Sequence, residues 1–182
     1  MVLPPDLPEP VDDGAAAHLT GLRLPSIPLL GTDGTTVDLS TVRGRAVVFA
    51  YPRTGRPTEP PLVPDWDLIP GARGCTPQTC GFRDLAADFR AVDTSVFGLS
   101  TQEPAYQREL AERLHLPFPV LSDATLALTR AIDLPTMTVA DLTLIKRLAW
   151  VQRDGVIEHV FYPVFPPDES AATVLAWLDH GR

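Results

Sequence analysis

The sequence predicts a single α/β domain built around a mixed β-sheet. Three observations predict it. Two continuous apolar runs, Ala46–Tyr51 and Ser95–Ser100, have the length and composition of strands buried on both faces. Helix-like patterning follows each of them, and Arg153-Asp154-Gly155 near the C-terminus reads as a hairpin turn followed by one last helix. The chain has 182 residues, 45% hydrophobic and 21% charged, enough for one well-packed domain, with no internal repeat and no second domain in view.

Taken in order, residues 1–20 are Pro-rich and acidic with little periodicity and read as a loose arm, leaving 21–182 as the domain. From Leu22 to Leu30, then Gly31-Thr-Asp-Gly34, then Thr35 to Leu39, the pattern is two short strands joined by a turn, an N-terminal β-hairpin extension. Pro52 ends the first buried strand. Residues 53–73 are rich in proline but carry Leu62, Val63, Trp66, Leu68 and Ile69, so they read as an ordered loop with apolar anchors. From Cys75 to about Ala91, the apolar residues Phe82, Leu85, Ala86 and Phe89 share one helical face. The second buried strand follows, then a polar-faced helix from Gln102 to His115 and a short strand from Phe118 to Leu121. Ser122 or Asp123 can cap a helix running to about Ile132. Leu142–Gln152 and Val156–Phe161 flank the hairpin turn, and the last helix runs from about Asp168, its cap, to Leu178.

Composition excludes several function classes. The net charge of −8 argues against a nucleic-acid or acidic-membrane partner, both of which need a basic footprint. No apolar run approaches the roughly 20 residues of a membrane helix. The first residues carry neither a basic region nor an apolar core, so no secretory signal is read there, and a reducing, cytoplasmic compartment is expected. In such a compartment a cysteine pair is more often catalytic or metal-binding than a structural staple.

The chain's two cysteines, Cys75 and Cys80, lie at the expected start of a helix, with Pro77 where a first turn tolerates it. A cysteine there faces unpaired backbone N–H groups and the positive end of the helix dipole, which favour its thiolate. A second thiol nearby completes the minimum for reversible oxidation chemistry. In an intact helix, residues five apart have Cα atoms roughly 8.7 Å apart, beyond the about 7 Å limit for a disulfide. A redox pair at these positions therefore requires the first turns to unwind. Two small buried hydrophobes are the competing reading of the same residues. A metal site lacks partners, since His18, His115, His159 and His180 are isolated. A dithiol of the thioredoxin type has two residues between its cysteines, and here there are four.

The residues resemble the peroxiredoxins, in the bacterioferritin-comigratory-protein (Q-type) branch, over about residues 22–180. The similarity rests on the ordered series Gly31 to Ser40, Gly44, Val47 to Pro52, Gly74-Cys75-Thr76, Cys80, Phe82-Arg83-Asp84, Val96 to Thr101, Phe118 to Asp123 and Asp154 to Phe161. The resemblance implies a thioredoxin-like fold with a mixed central sheet flanked by helices. It implies that Cys75 is a peroxidatic cysteine oxidised by peroxide to a sulfenic acid. Cys80 would then be the resolving cysteine that condenses with it to an intramolecular disulfide, reset by thioredoxin or a similar reductant. Gly74, Thr76 and Pro52 would border the substrate. Neither metal nor cofactor is implied, and the chain is expected as a monomer or weak homodimer.

Two departures from the family's pattern carry expectations of their own. The family places a threonine four residues after its proline and the cysteine three further on. Here the insertion 53–73 intervenes, and the position three before Cys75 is Ala72, which has no hydroxyl. Thr54 or Thr58 could supply one, and Thr76 is adjacent. The family's active-site arginine falls at Lys146 when counted back from Asp154-Gly155, with Arg147 one residue later. On a strand, adjacent side chains point to opposite faces, so either Lys146 supplies the charge or a bulge lets Arg147 do so. Arg73 is a third source. A non-catalytic redox-sensing or binding domain and a general thiol-disulfide oxidoreductase remain the alternatives to a peroxidase.

Overall fold

Val47, Val48, Phe49, Ala50 and Tyr51 are all fully buried, because strand β3 (Arg45–Ala50) lies inside the sheet with apolar layers on both sides. A computed structural model describes residue 3 and residues 6–180 of the chain. Alternation along β3 sends Val48 and Ala50 into one core and Val47, Phe49 and Tyr51 into the other. The seven-stranded sheet has the order β2-β1-β5-β4-β3-β8-β9. Its strands are β1 (Pro28–Gly31), β2 (Thr36–Asp38), β3, β4 (Thr94–Ser100), β5 (Val120–Ser122), β8 (Leu148–Arg153) and β9 (Val156–Phe161). β3 pairs parallel with β4 and antiparallel with β8, so the sheet is mixed, as expected. The N-terminal hairpin extends it through antiparallel pairing of β1 with β5.

Four helices cover the face that carries Phe49. They are α1 (Cys75–Asp84), α2 (Ala86–Ala91), α3 (Pro104–Leu114) and α5 (Ser170–His180), which bury Phe82, Phe89, Leu110 and Val174 there. The short α4 (Ala127–Ala131) packs Leu128 on the opposite face. Phe82 stacks on Phe49 with ring centroids 4.2 Å apart and planes within 6°. Such a pair adds about 1 kcal/mol to the roughly 2–3 kcal/mol of burying the ring. This contact fixes α1, and hence both cysteines, against the centre of the sheet.

The structure departs from the sequence-based expectations in four places. The helix expected over 75–91 is divided at Leu85, where ψ turns to 10° and ends α1. The strand expected over 142–152 is two strands, β7 (Leu142–Ile145) and β8, with Lys146 and Arg147 between them. β7 pairs instead with an unexpected strand, β6 (Thr136–Val139), in a separate two-stranded sheet. Its turn, Ala140-Asp141, has φ of 48° and 62°, left-handed at both positions without the glycine that usually signals such a hairpin.

The arm is the fourth difference. Residues 1, 2, 4 and 5 of the segment read as a loose arm lie outside the described residues, as do 181 and 182 at the far end. Within the rest, Leu19 is fully buried and Ala16 nearly so, both in the core under β1 and β8. Two apolar residues in a run of turns give no period to read, yet they bury as fully as a strand would. Asp13 completes the attachment by pairing with Lys146 at 2.6 Å and accepting from the Tyr162 hydroxyl at 2.7 Å. Within residues 53–73, Trp66 and Ala72 form a small core with Val139 and Leu144, tying the insertion to the β6-β7 hairpin.

Candidate active site

Cys75 is the first residue of α1, and its position follows from Gly74. Gly74 is the N-cap with φ 105° and ψ 11°, a conformation that costs a residue with a Cβ. A Cβ there would also stand 2.3 Å from Pro167 Cγ, so the chain passes hard against the 3-10 turn Pro167–Glu169 that precedes α5. The first intrahelical hydrogen bond runs from Gln78 N to Gly74 O at 3.0 Å. The N–H groups of Cys75 and Thr76 therefore have no carbonyl partner within the helix, and Pro77 has none to satisfy. Thr79, buried, donates its hydroxyl to the Cys75 carbonyl at 2.9 Å.

Arg147 supplies the cation. It is only 3% exposed, and its Nη2 lies 3.3 Å from Cys75 Sγ. The same nitrogen sits among the carbonyls of Gly71, Ala72 and Arg73 at 2.9–3.2 Å, and Nη1 donates to Gln78 Oε1 at 2.6 Å. A planar guanidinium can span helix, loop and sulfur at once, which an ammonium cannot. Lys146 is not at the site; it points to the N-terminal segment and pairs with Asp13. Strand alternation did not decide between the two residues, because both lie in the break between β7 and β8. Arg73 offers its carbonyl to Arg147, while its exposed guanidinium pairs with Asp67 at 3.0 Å.

The hydroxyl side of the site is built by Thr54, at the start of the insertion, and by Gln102 beyond β4. Thr54 is buried, and its N–H and Oγ1 both donate to Gln102 Oε1, at 2.8 and 3.1 Å. Gln102 Nε2 returns a bond to the Thr54 carbonyl at 3.0 Å. Thr54, Thr76 and Cys75 line one cleft of about 520 Å³. Thr58 is exposed and does not border it. Pro52 is buried two residues beyond the end of β3 and, unlike Gly74 and Thr76, does not line the cleft. Ala72 is fully buried and takes part only through its carbonyl, 3.4 Å from Cys75 Sγ and placed to accept its proton.

Three residues here escaped the sequence reading: Tyr51, Gln78 and Gln102. The Tyr51 hydroxyl lies beside Thr54 and Cys75, and burial pushes its phenol far above the ordinary value, with Cys75 adding to the rise. Among the described residues it meets no hydrogen-bond partner of good geometry. Its signal was present, since Tyr51 shares strand parity with Val47 and Phe49 and ends the run at Pro52. Gln78 lies one turn beyond Cys75, the face on which a helper should be sought. Gln102 had no signal, because its role arises from a loop meeting a loop.

Cys80 lies in the middle of α1, half-buried, and both cysteines are free thiols. Arg83, three residues on, places a guanidinium near Cys80, held protonated first by its hydrogen bond with Asp84. Among the described residues no three His, Cys, Asp or Glu side chains converge as metal ligands would.

A family model described as redoxin matches residues 19–175, most of the chain. The chain belongs to the redoxin family. A chloroplastic peroxiredoxin Q from Populus jackii is 31% identical over 162 residues, covering 87% of this redoxin and 67% of the relative. Its counterpart from Oryza sativa subsp. japonica is 30% identical over 162 residues, covering 87% of this chain. This redoxin spans 65% of that relative's length, and the same share of another rice relative. Among solved structures, the peroxidoxin BcpB from Mycobacterium tuberculosis superposes with a TM-score of 0.72 at 29% identity, over 90% of this chain and 97% of the other. The thioredoxin-like mixed sheet and the Q-type resemblance read from the sequence both stand.

Proposed function

We propose that this redoxin is a thiol peroxidase that reduces hydroperoxides through Cys75 and Cys80. The observation that carries the reading is the pairing of Cys75 Sγ with Arg147 at the N-terminus of α1, open to the cleft. Negative charge on the sulfur is met there by a guanidinium and by helix-start N–H groups. The Cys75 thiolate attacks one peroxide oxygen; the S–O bond forms as the O–O bond breaks, and the leaving hydroxide or alkoxide takes a proton. Two electrons pass from sulfur to oxygen, giving a sulfenic acid and water or an alcohol.

The second step requires α1 to open. Both cysteines occupy one continuous helix, whose geometry sets their Cα atoms about 8.7 Å apart. Opening breaks the Gln78–Gly74, Thr79–Cys75 and Gln78–Arg147 hydrogen bonds, while Phe82 stays stacked on Phe49 as the anchor. The Cys80 thiolate then attacks the sulfenic sulfur, the S–S bond forms, and hydroxide leaves to become water. An external dithiol of the thioredoxin type returns two electrons and two protons.

The test is direct. One equivalent of hydrogen peroxide should consume both thiols with a loss of two hydrogen masses. Thioredoxin, its reductase and NADPH should support continued peroxide consumption, and Cys75→Ser should abolish both. Oxidation of Cys75 no faster than that of free cysteine would overturn the reading in favour of a redox-sensing domain.

A further inference from the structure

Cys75 borders the cleft of about 520 Å³, and Arg147 does not. Arg147 borders a second cavity instead, of about 260 Å³, which Cys75 does not reach. The 3% of Arg147 that is exposed therefore opens away from the sulfur it serves. Val11 of the N-terminal segment, Ile69 of the insertion, Met137 of β6 and Pro163 give this cavity apolar walls. Lys146 and Arg147 are its charged residues. Asp13 pairs with Lys146, and an ammonium keeps two further N–H donors beyond one such bond. Arg147 meets only carbonyls, the Gln78 amide and the Cys75 sulfur, all through its terminal nitrogens. Among the described residues no carboxylate pairs with its guanidinium, and its Nε has no acceptor.

A nearly buried cation without a carboxylate partner favours an anion brought to it, and apolar walls favour hydrocarbon. An apolar cavity of roughly 150 Å³ already admits benzene, so this one takes a ring or short chain together with its acid group. We infer that this cavity is a regulatory site for a small apolar monocarboxylic acid. Its carboxylate is held by Arg147 Nε and Lys146 Nζ, and its hydrocarbon lies against Ile69 and Met137. A carboxylate there competes with the Cys75 sulfur for one guanidinium. With the acid bound, less of the arginine's field reaches Sγ, and oxidation slows. The coupling is reciprocal, so removing the sulfur's charge strengthens acid binding. The effect on rate rests on the thiol-peroxidase reading; the binding does not.

Benzoate and benzyl alcohol, similar in size, are the probes. Calorimetry should give benzoate a millimolar Kd, about tenfold tighter than the alcohol, the worth of one charge-assisted hydrogen bond. Cys75→Ser, which carries no charge at that position, should bind benzoate several-fold tighter than the unaltered protein. Saturating benzoate should slow Cys75 oxidation by hydrogen peroxide about fivefold. Val11→Trp and Met137→Trp fill the cavity from the N-terminal segment and from β6. Each should abolish both binding and slowing, with oxidation in the absence of benzoate unchanged. Arg53→Gln takes a cation from the cleft on the Cys75 side and should leave binding and slowing as they were. Equal affinity for acid and alcohol, binding that survives both tryptophans, or slowing lost in Arg53→Gln overturns the inference. Binding without any slowing overturns its regulatory part. Should hydrogen peroxide fail to oxidise Cys75 at all, the thiol-peroxidase reading falls, and calorimetry still decides the site.

Discussion

Arg147 and Cys75 stand 72 positions apart in sequence, yet the guanidinium of one lies 3.3 Å from the sulfur of the other. The contact is made in a break between two strands. There the chain leaves the β6-β7 hairpin and enters the main sheet, and it drives a buried arginine under the first turn of α1. Removing that side chain leaves Gln78 Oε1 and the carbonyls of Gly71, Ala72 and Arg73 without their donor. Arg147→Met should therefore cost about 2–5 kcal/mol of stability by urea unfolding, since each stranded buried acceptor costs about 1–3. It should also slow Cys75 oxidation by about a hundredfold, the scale of one lost electrostatic contact to the reacting atoms. Stability falling without any change in rate would give Arg147 a purely structural role.

Gly74→Ala tests how the helix start is held. The substitution meets two separate penalties: a φ of 105°, which a Cβ disfavours, and a Cβ placed 2.3 Å from Pro167 Cγ. Together they should cost about 1–3 kcal/mol and lower the rate of Cys75 oxidation. The double variant Gly74→Ala/Pro167→Ala separates the penalties. It should recover the steric part and leave the backbone part, whereas a double variant no better than the single would mean Pro167 does not set this approach.

Much of this arrangement was legible in the sequence, and its limits have physical causes. The buried strands declared themselves by unbroken apolar runs, and the cysteine helix by Gly-Cys-Thr-Pro followed by Phe82, Leu85 and Phe89 on one face. Strand parity failed at Lys146 and Arg147 because the rule assumes a continuous strand, and β7 ends at Ile145. The β6-β7 hairpin was hidden because Ala140 and Asp141 adopt left-handed backbone without glycine. Thr54 was nameable as a candidate hydroxyl, but its lock came from Gln102, 48 positions away, through bonds that only folding creates.

Tyr51→Phe should separate stability from chemistry. The Tyr51 hydroxyl is buried without a good partner, so deleting it should leave stability unchanged or raise it by about 1 kcal/mol. The same hydroxyl is an unused donor close enough to Cys75 for charge there to raise its phenol further. Cys75 oxidation should slow several-fold in the variant, read by stopped-flow mixing with peroxide. A loss of stability would instead show that the phenol is bonded in solution. An unchanged rate would remove it from the chemistry.

Asp13→Asn examines the strap that holds the N-terminal segment over the domain. The Lys146 ammonium, and after it the Tyr162 hydroxyl, hold the Asp13 carboxyl well below the usual carboxylate range. Lys146 is raised in turn, first by its hydrogen bond to Asp13. A carboxyl depressed in the folded state contributes stability that is complete above its unfolded value, about 4, and is lost as pH falls through the folded value. The raised lysine contributes below its unfolded value, about 10.4, and its share is lost as pH rises through the folded one. The strap is therefore complete from about pH 4 to about pH 10. At pH 7 the amides of Ala17 and Leu19, bonded to Gly14 and Ala16, should exchange faster in Asp13→Asn than in the unaltered protein. The difference should close as pH is lowered well below 4, where the native carboxyl also carries a proton. Because the pair is partly exposed, high salt should shrink the difference as well. Equal exchange at pH 7 in low salt would show that burial of Ala16 and Leu19 holds this segment without help from the charges.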